Sequence, residues 1–239
     1  MKTFIKVFLL VILLLISVPI LVAGYFGFVP GLSGLMGSNK PRDLGVTFTE
    51  ADRRVAYDNN GVDSVALTSA SSVSDSIRYE GQKDVTTTFS SAEISALINS
   101  VTWKYMPVSR VQIKINPDGI GEASGILHLD KLLPYISLTA SIDQVKAALD
   151  KYHISANPAF YLKGGVTIIN NQVTFNPQII EVGRMTIPQS LVTPNIPAAT
   201  SFAESRIKSV PNLNIKSLTL TSGKINFSAT VPAKEYTAR

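Results

Sequence analysis

VSRVQIKINPDGIGEASGILHL, residues 108–129, decides the fold. Val108 to Ile115 alternates apolar and polar side chains with the period of two that a half-buried strand requires. Asn116-Pro117-Asp118-Gly119 is tight-turn chemistry, and Ile120 to Leu129 returns along the first strand. A return through so short a turn is antiparallel, because a parallel partner needs a crossover of about a dozen residues or more. Asp118 therefore reads as a turn residue and not as a metal ligand.

Downstream the same pattern repeats. Phe160 to Ile169 and Gln172 to Met185 form a second hairpin about Asn170-Asn171, with Pro177 marking a bulge or an edge position. Leu213 to Thr221 and Lys224 to Val231 form a third about Ser222-Gly223. Two helical stretches lie between them. Ser141 to Tyr152 places Ile142, Val145, Leu149 and Tyr152 on one face, and Ala198 to Lys208 turns Phe202 and Ile207 inward. Hairpins interleaved with helices predict an α+β fold, an antiparallel β-meander with amphipathic helices on one side, and not a doubly wound parallel sheet.

Upstream, Lys83 to Phe89 is rich in β-branched residues and leads into Ser90-Ser91-Ala92-Glu93, where Ser90 and Glu93 have capping-box spacing. Ile94, Leu97, Ile98 and Val101 follow at i, i+3, i+4 and i+7, giving that helix one apolar stripe. Thr47 to Asp52 repeats the order of Thr88 to Glu93, namely Thr, Phe, hydroxyl, any residue, Ala, acid, at a displacement of 41 residues. An internal repeat explains the match, and so does the general need of a strand-to-helix junction for a hydroxyl cap and an acid in the first turn. The earlier copy reads as a short strand from Gly45 running into a helix capped by Thr49, with Val55 inward and Asn59-Asn60-Gly61 as its stop. Val62 to Leu67 reads as another strand and Thr68 to Ser76 as a polar loop.

The N-terminus is different in kind. Val7 to Val29 carries no charge, and about 18 apolar residues suffice for a membrane-crossing helix. Pro19 within it is tolerable, since neighbouring groups re-satisfy the freed backbone. Lys2 and Lys6 are the only charges ahead of the run, which predicts a single-pass protein of the cell membrane with a cytoplasmic N-terminus. Residues 1–29 are thus the transmembrane anchor, residues 30–44 a flexible Gly/Pro/Ser-rich connector, and residues 45–239 one extracytoplasmic α+β domain. A cleavable signal peptide ending near Ala23-Gly24 is the competing reading. The apolar run continues through Tyr25, Phe26, Phe28 and Val29, which suits an uncleaved anchor with an interfacial aromatic belt.

With no cysteine, the chain offers neither disulfides, thiolate metal ligands nor a site for lipoprotein acylation. Its 22 Lys and Arg against 17 Asp and Glu are scattered, which argues against a nucleic-acid surface. His128 and His153 stand without further ligands at zinc spacing. Ser205-Arg206-Ile207-Lys208 has the S-x-x-K order without its partner motifs. Gly164-Gly165 precedes a strand and not a helix, so it cannot cradle a phosphate. Glu181 and Arg184 read as a surface ion pair. The sequence predicts no catalytic residue, no metal and no cofactor.

The Phe48–Asp52 and Phe89–Glu93 helix starts behind an apolar N-terminal segment, the hairpin from Val111 to Gly125, and GVTIINNQVTF over Gly165–Phe175 leading to VGRMTIP form a further pattern. They resemble bacterial extracytoplasmic proteins of the tubular lipid-binding (TULIP-like) superfamily, in its YpmS-like and LmeA-like branches. The likeness spans Val46 to about Val231. It implies a long, strongly curved antiparallel sheet wrapped around a helix, an apolar groove for acyl chains, and no catalytic residues. Ile94, Leu97, Ile98, Ile142, Val145 and Leu149 are then the candidate groove walls, with membrane lipid as the partner. The other reading of the same residues is the closed core between helix and sheet. A groove taking about fourteen methylenes gains roughly 11 kcal/mol gross, at about 0.8 kcal/mol each. The expected function is a membrane-anchored, non-enzymatic lipid-binding or lipid-transfer domain of the bacterial envelope. The alternative is a structural or adaptor ectodomain that docks an envelope protein partner in cell-wall assembly, and a hydrolase would need an arrangement around Ser205 or His128.

Overall fold

The computed structural model describes residues 17–26, 29, 31–139, 142 and 157–239. Helix α1 (residues 17–26) and the short α2 (Leu32–Leu35) precede α3 (Glu50–Asn60), β1 (Asp63–Leu67), β2 (Ile77–Glu80) and β3 (Lys83–Ser90). Then come α4 (Ser91–Asn99), β4 (Val108–Ile115), β5 (Gly121–Leu127), α5 (Leu129–Ser137), β6 (Ala159–Ile169), β7 (Gln172–Val182) and the two-residue β8 (Met185–Thr186). A helical turn at Gln189–Val192 leads to α6 (Ile196–Ser209), β9 (Asn214–Thr221), β10 (Lys224–Val231) and β11 (Lys234–Ala238). The fold is α+β, built on a strongly curled antiparallel half-barrel sheet.

That sheet runs β3-β10-β9-β6-β5-β4, with β7 beside β6 and β8 beside β7. Strand β6 is where it forks. One edge carries β7, whereas the other carries β5 at Ala159–Gly164 and β9 at Ile168–Ile169. Two strands sharing one edge must splay, so the β4–β5 and β3–β10–β9 wings curl toward each other. They meet through Phe89, Ile115, Leu220 and Ile225, all buried.

The turns have the residues their backbones demand. Asn170 and Asn171 adopt φ of 50° and 65°, and Ser222 and Gly223 51° and 75°, the double left-handed conformation of a two-residue hairpin turn. Asn171 Oδ1 accepts from the Ile215 N–H (2.6 Å) and its amide donates to Asn214 Oδ1 (2.9 Å), fastening the turn to β9. Pro177 sits opposite Gly164 where the β6–β7 register shifts, the bulge expected of a residue that cannot donate to the ladder.

Strand β4 ends the sheet, and an open edge invites pairing with another chain. Helix α4 covers it with a polar ladder. Ser91 Oγ accepts from the Ile115 N–H (2.9 Å) and Ser95 Oγ from the Ile113 N–H (2.8 Å). Asn99 Oδ1 accepts from the Val111 N–H (2.9 Å) while its Nδ2 donates to the Val111 carbonyl (2.6 Å). The spacings match: four helical residues advance about 6.0 Å and two strand residues about 6.6 Å, so i, i+4, i+8 meets alternate strand residues. Both capping boxes form, Thr49 with Asp52 and Ser90 with Glu93, and α3 packs on α4 with Ala56 and Ala96 buried.

Elsewhere the structure departs from the sequence reading. No strand precedes α3, because Gly45 at φ 69° turns the chain there. Ala56, not Val55, faces inward, and Val55 is 42% exposed. Val101 lies past the end of α4 and is exposed. The strand order is not a plain meander: β3 closes against β10, and a separate three-stranded sheet pairs β1 in parallel with β11, flanked by β2. Leu129 starts α5 instead of ending a strand, and Glu181 pairs with Arg42 instead of Arg184. Of the expected Ser141–Tyr152 helix only Ile142 is described, half-buried outside any regular element. Residues 7–16, 27 and 28 of the expected membrane span lie outside the described residues, among which no helix is long and apolar enough to cross a membrane.

Candidate functional site

The inner face of the curled sheet is one continuous apolar surface, unevenly buried. Directly paired residues share a face, so the register aligns Ile113, Ala123, Leu162 and Ile180, and beside them Gly125, Phe160 and Val182. On the β3–β10–β9 wing Val85, Phe89, Leu220, Ile225, Ala229 and Val231 are all buried, and Ile94 and Leu97 of α4 pack onto that core. On the β5–β6–β7 wing Phe160, Leu162, Ile180 and Val182 are only half-buried. Of the six residues read as groove walls, Ile94 and Leu97 thus meet the closed wing. Ile98 lines a cleft of about 240 Å³ with Trp103, Met106, Val108 and His128. Ile142 is half-buried, and Val145 and Leu149 lie outside the described residues.

The chain between α1 and α3 lies as a strap across the other face of β4–β7, the face of Gln112, Ser124, Tyr161 and Glu181. Ser38 is buried, and its hydroxyl donates to the Gly24 and Tyr25 carbonyls (3.1 and 2.6 Å), in the last described turn of α1, where helix carbonyls call for outside partners. Arg42 lays its guanidinium 3.8 Å from the centroid of the Tyr161 ring and donates to both oxygens of Glu181 (3.0 and 2.8 Å). Leu44 N–H donates to Gln112 Oε1 (2.7 Å). Tyr161 in turn donates to Glu122 (2.7 Å), which also accepts from Asn116 (3.0 Å). The bonds from Asn116 and Tyr161 hold the Glu122 carboxyl below its usual range, while burial and then the Glu122 bond push the Tyr161 hydroxyl up to about 12. At neutral pH the phenol is the donor and the carboxylate the acceptor.

Between strap and sheet opens a cleft of about 400 Å³ lined by Tyr25, Lys40, Arg42, Phe160, Glu181 and Arg184, among others. Tyr161 and Glu181 are one residue out of step with Phe160, Leu162, Ile180 and Val182, so the cleft lies on the opposite face of the sheet from the apolar wing. Sequence reasoning missed Lys40 and Arg42 because they sit in an aperiodic run; the only signal was a pair of cations, Lys40 and Arg42, closing a stretch without charge.

Groups that carry chemistry elsewhere are dispersed. Ser109 Oγ and His128 Nε2 are 2.7 Å apart, and among the described residues no carboxylate bonds the other ring nitrogen to complete a nucleophile-base-orienter set. Ser205 and Lys208 are exposed on α6, Gly164 and Gly165 lie within β6, and His153 lies outside the described residues. Among the described residues no group of three His, Asp or Glu could hold a metal ion. Set against known proteins, the chain matches no family model, no curated sequence and no solved structure, so its functional reading rests on this geometry alone.

Proposed function

We propose that the chain is a membrane-anchored extracytoplasmic domain of the bacterial envelope, of the tubular lipid-binding type, that binds or transfers lipid and performs no catalysis. The observation that carries this reading is the uneven burial of one apolar face. A closed wing supplies a core, and the half-buried wing of Phe160, Leu162, Ile180 and Val182 offers acyl chains an apolar surface without displacing that core. On the β3–β10 wing the outward residues Thr86, Thr88, Asn226 and Ser228 are polar, which leaves the inner face as the apolar one there. On α1, Val18, Ile20, Leu21 and Val22 are 45–50% exposed, a surface suited to a bilayer.

The test is native mass spectrometry of the full-length chain, extracted from bacterial membranes in mild detergent, followed by organic extraction. One phospholipid or isoprenoid retained per chain, and lost on Leu162→Trp, supports the proposal. A lipid-free mass that persists after incubation with envelope lipids overturns it in favour of an adaptor ectodomain.

A further inference from the structure

The outer face of the large sheet changes character along its length. Toward the strap it carries Lys114, Glu122, Lys163 and Glu181, the long charged side chains that solvated surfaces favour. Two rows at the other end carry no charge. Directly paired residues there form one row across five strands: Thr86, Ser228, Ser217, Ile169 and Gln172. One step along the strands lie Thr88, Asn226 and Thr219 on β3–β10–β9, and Thr167 opposite Thr174 on β6–β7. Charges stand only at the margins, Asp84 bonded to Lys216 (3.1 Å) on one side and Lys224 on the other. The five-strand row spans about 19 Å, four strand spacings of about 4.8 Å each. A cleft of about 520 Å³ opens over Thr86, Thr88, Ser217, Asn226 and Ser228, together with Asn59 at the end of α3.

Most polar groups of the two rows lack a protein partner. Thr86 and Ser228 bond each other (3.1 Å) and Asn226 donates to Thr221 (2.6 Å). The side chains of Thr88, Thr219, Ser217, Thr167, Thr174 and Gln172 make no hydrogen bond among the described residues. Threonine is stiff at χ1, so the pleat orients these hydroxyls before any ligand arrives. A nucleic acid calls for cations and a protein interface for an apolar, aromatic centre, and these rows have neither. Their one large apolar side chain, Ile169, is 45% exposed. We propose that the two rows bind an uncharged, extended polysaccharide. Its hydroxyls exchange hydrogen bonds with the threonine, serine and amide groups, and the C–H face of a sugar ring rests on Ile169. The site lies on the face opposite the apolar inner wing, so it stands apart from the lipid reading.

The test sediments the full-length chain, in mild detergent, with insoluble chitin and with cellulose, two uncharged polysaccharides, against the chain alone. The parent co-sediments with one or both, to the same extent at low and high salt. Thr88→Val/Thr219→Val keeps the shape and strand preference of both residues and weakens binding by about 5-fold or more, the loss that two hydrogen bonds entail. Thr47→Val/Thr186→Val, which removes two exposed hydroxyls elsewhere, binds as the parent does. Co-sedimentation with neither polymer overturns the proposal. Binding that high salt abolishes assigns it to the flanking charges and also overturns it, as does unchanged binding in the first double variant or an equal loss in the second. A dimer in sedimentation velocity that Ser217→Arg dissociates gives the face to a second copy of the chain and overturns the polysaccharide.

Discussion

Replacing Asn99 with alanine tests whether α4 is a structural cover for the β4 edge. The side chain makes three hydrogen bonds: Nδ2 to the Val111 carbonyl (2.6 Å), Nδ2 to the Ser95 carbonyl (2.7 Å), and Oδ1 from the Val111 N–H (2.9 Å). Ser95 O has its helical environment, but Val111 is 3% exposed and is an edge residue, so its N–H and carbonyl lose partners that water cannot fully replace. Each lost bond costs about 0.5–1.5 kcal/mol net, and a buried group left unsatisfied about 1–3 kcal/mol, so Asn99→Ala destabilises by roughly 2–4 kcal/mol. For a domain of this size that lowers Tm by about 5–15 °C, at roughly 2–4 °C per kcal/mol.

Urea denaturation of the purified chain in detergent micelles gives the free energy, and amide hydrogen exchange gives its location. Protection of the Val111 amide falls more than that of Ile115, which keeps its bond to Ser91. Ser100→Ala is the control, because that hydroxyl bonds only the carbonyl of Leu97 in its own helix; its effect stays within about 0.5 kcal/mol. An Asn99→Ala chain within about 0.5 kcal/mol of the parent, with Val111 protection unchanged, refutes the ladder as a source of stability.

Three other perturbations follow from the same structure. Gly164→Ala puts a Cβ 2.5 Å from the Asn176 carbonyl oxygen and 2.8 Å from Pro177 Cα, so it destabilises by more than about 2 kcal/mol. Gly165→Ala, which meets nothing within 4 Å, is the matched control; equal effects in a denaturant series would refute the close approach at the bulge. Burial raises the carboxyl of Glu235 above 4.5, only partly offset by Arg206, so the folded state holds that proton more tightly than the unfolded chain. Stability from this group is greatest below the unfolded value and declines as pH rises through the folded one, so Glu235→Gln raises the urea midpoint at pH 7 and the gain vanishes near pH 4, where a constant gain would contradict the assignment. Arg42→Ala releases the strap: chymotryptic cleavage after Leu44 accelerates several-fold while global stability falls by about 1 kcal/mol or less, since the pair with Glu181 is half-exposed; an unchanged cleavage rate argues against anchoring.

Much of the fold was written locally. Asn170-Asn171, Ser222-Gly223 and Asn116 to Gly119 announce their turns because few residues tolerate those dihedrals, and Thr49/Asp52 and Ser90/Glu93 announce helix starts because their side chains close on nearby backbone. The failures were non-local. IRYE and KEYTA, the strands β2 and β11, are short and carry no clean period, and they exist because β11 returns to pair with β1 and β2. Glu181 stands three residues from Arg184, which suggested a local pair, yet the partner came from Arg42 in the strap. Ser91, Ser95 and Asn99 look like a solvated helix face. Only the presence of an edge strand at the right pitch turns that stripe into a ladder, and a helix read alone cannot reveal it.

The candidate site was legible as a class of surface and not as a place. Apolar stripes on α4 pointed to a wall, but Ile94 and Leu97 go to the side where the fork at β6 drives Phe89, Ile115, Leu220 and Ile225 together. What distinguishes the two wings is therefore topology. Both are apolar, yet β9 touches β6 only at Ile168–Ile169, which lets the β3–β10–β9 wing fold over onto α4, whereas β5, β6 and β7 stay paired across Phe160 and Leu162. Glycine shapes that floor: at Gly125 a Cβ would fall 2.8 Å from the Phe160 ring, so the ring can lie across the neighbouring strand only because no side chain stands there. A half-buried apolar floor with a basic strap across its other face follows from where the strands fork, and hydropathy alone carries no record of that.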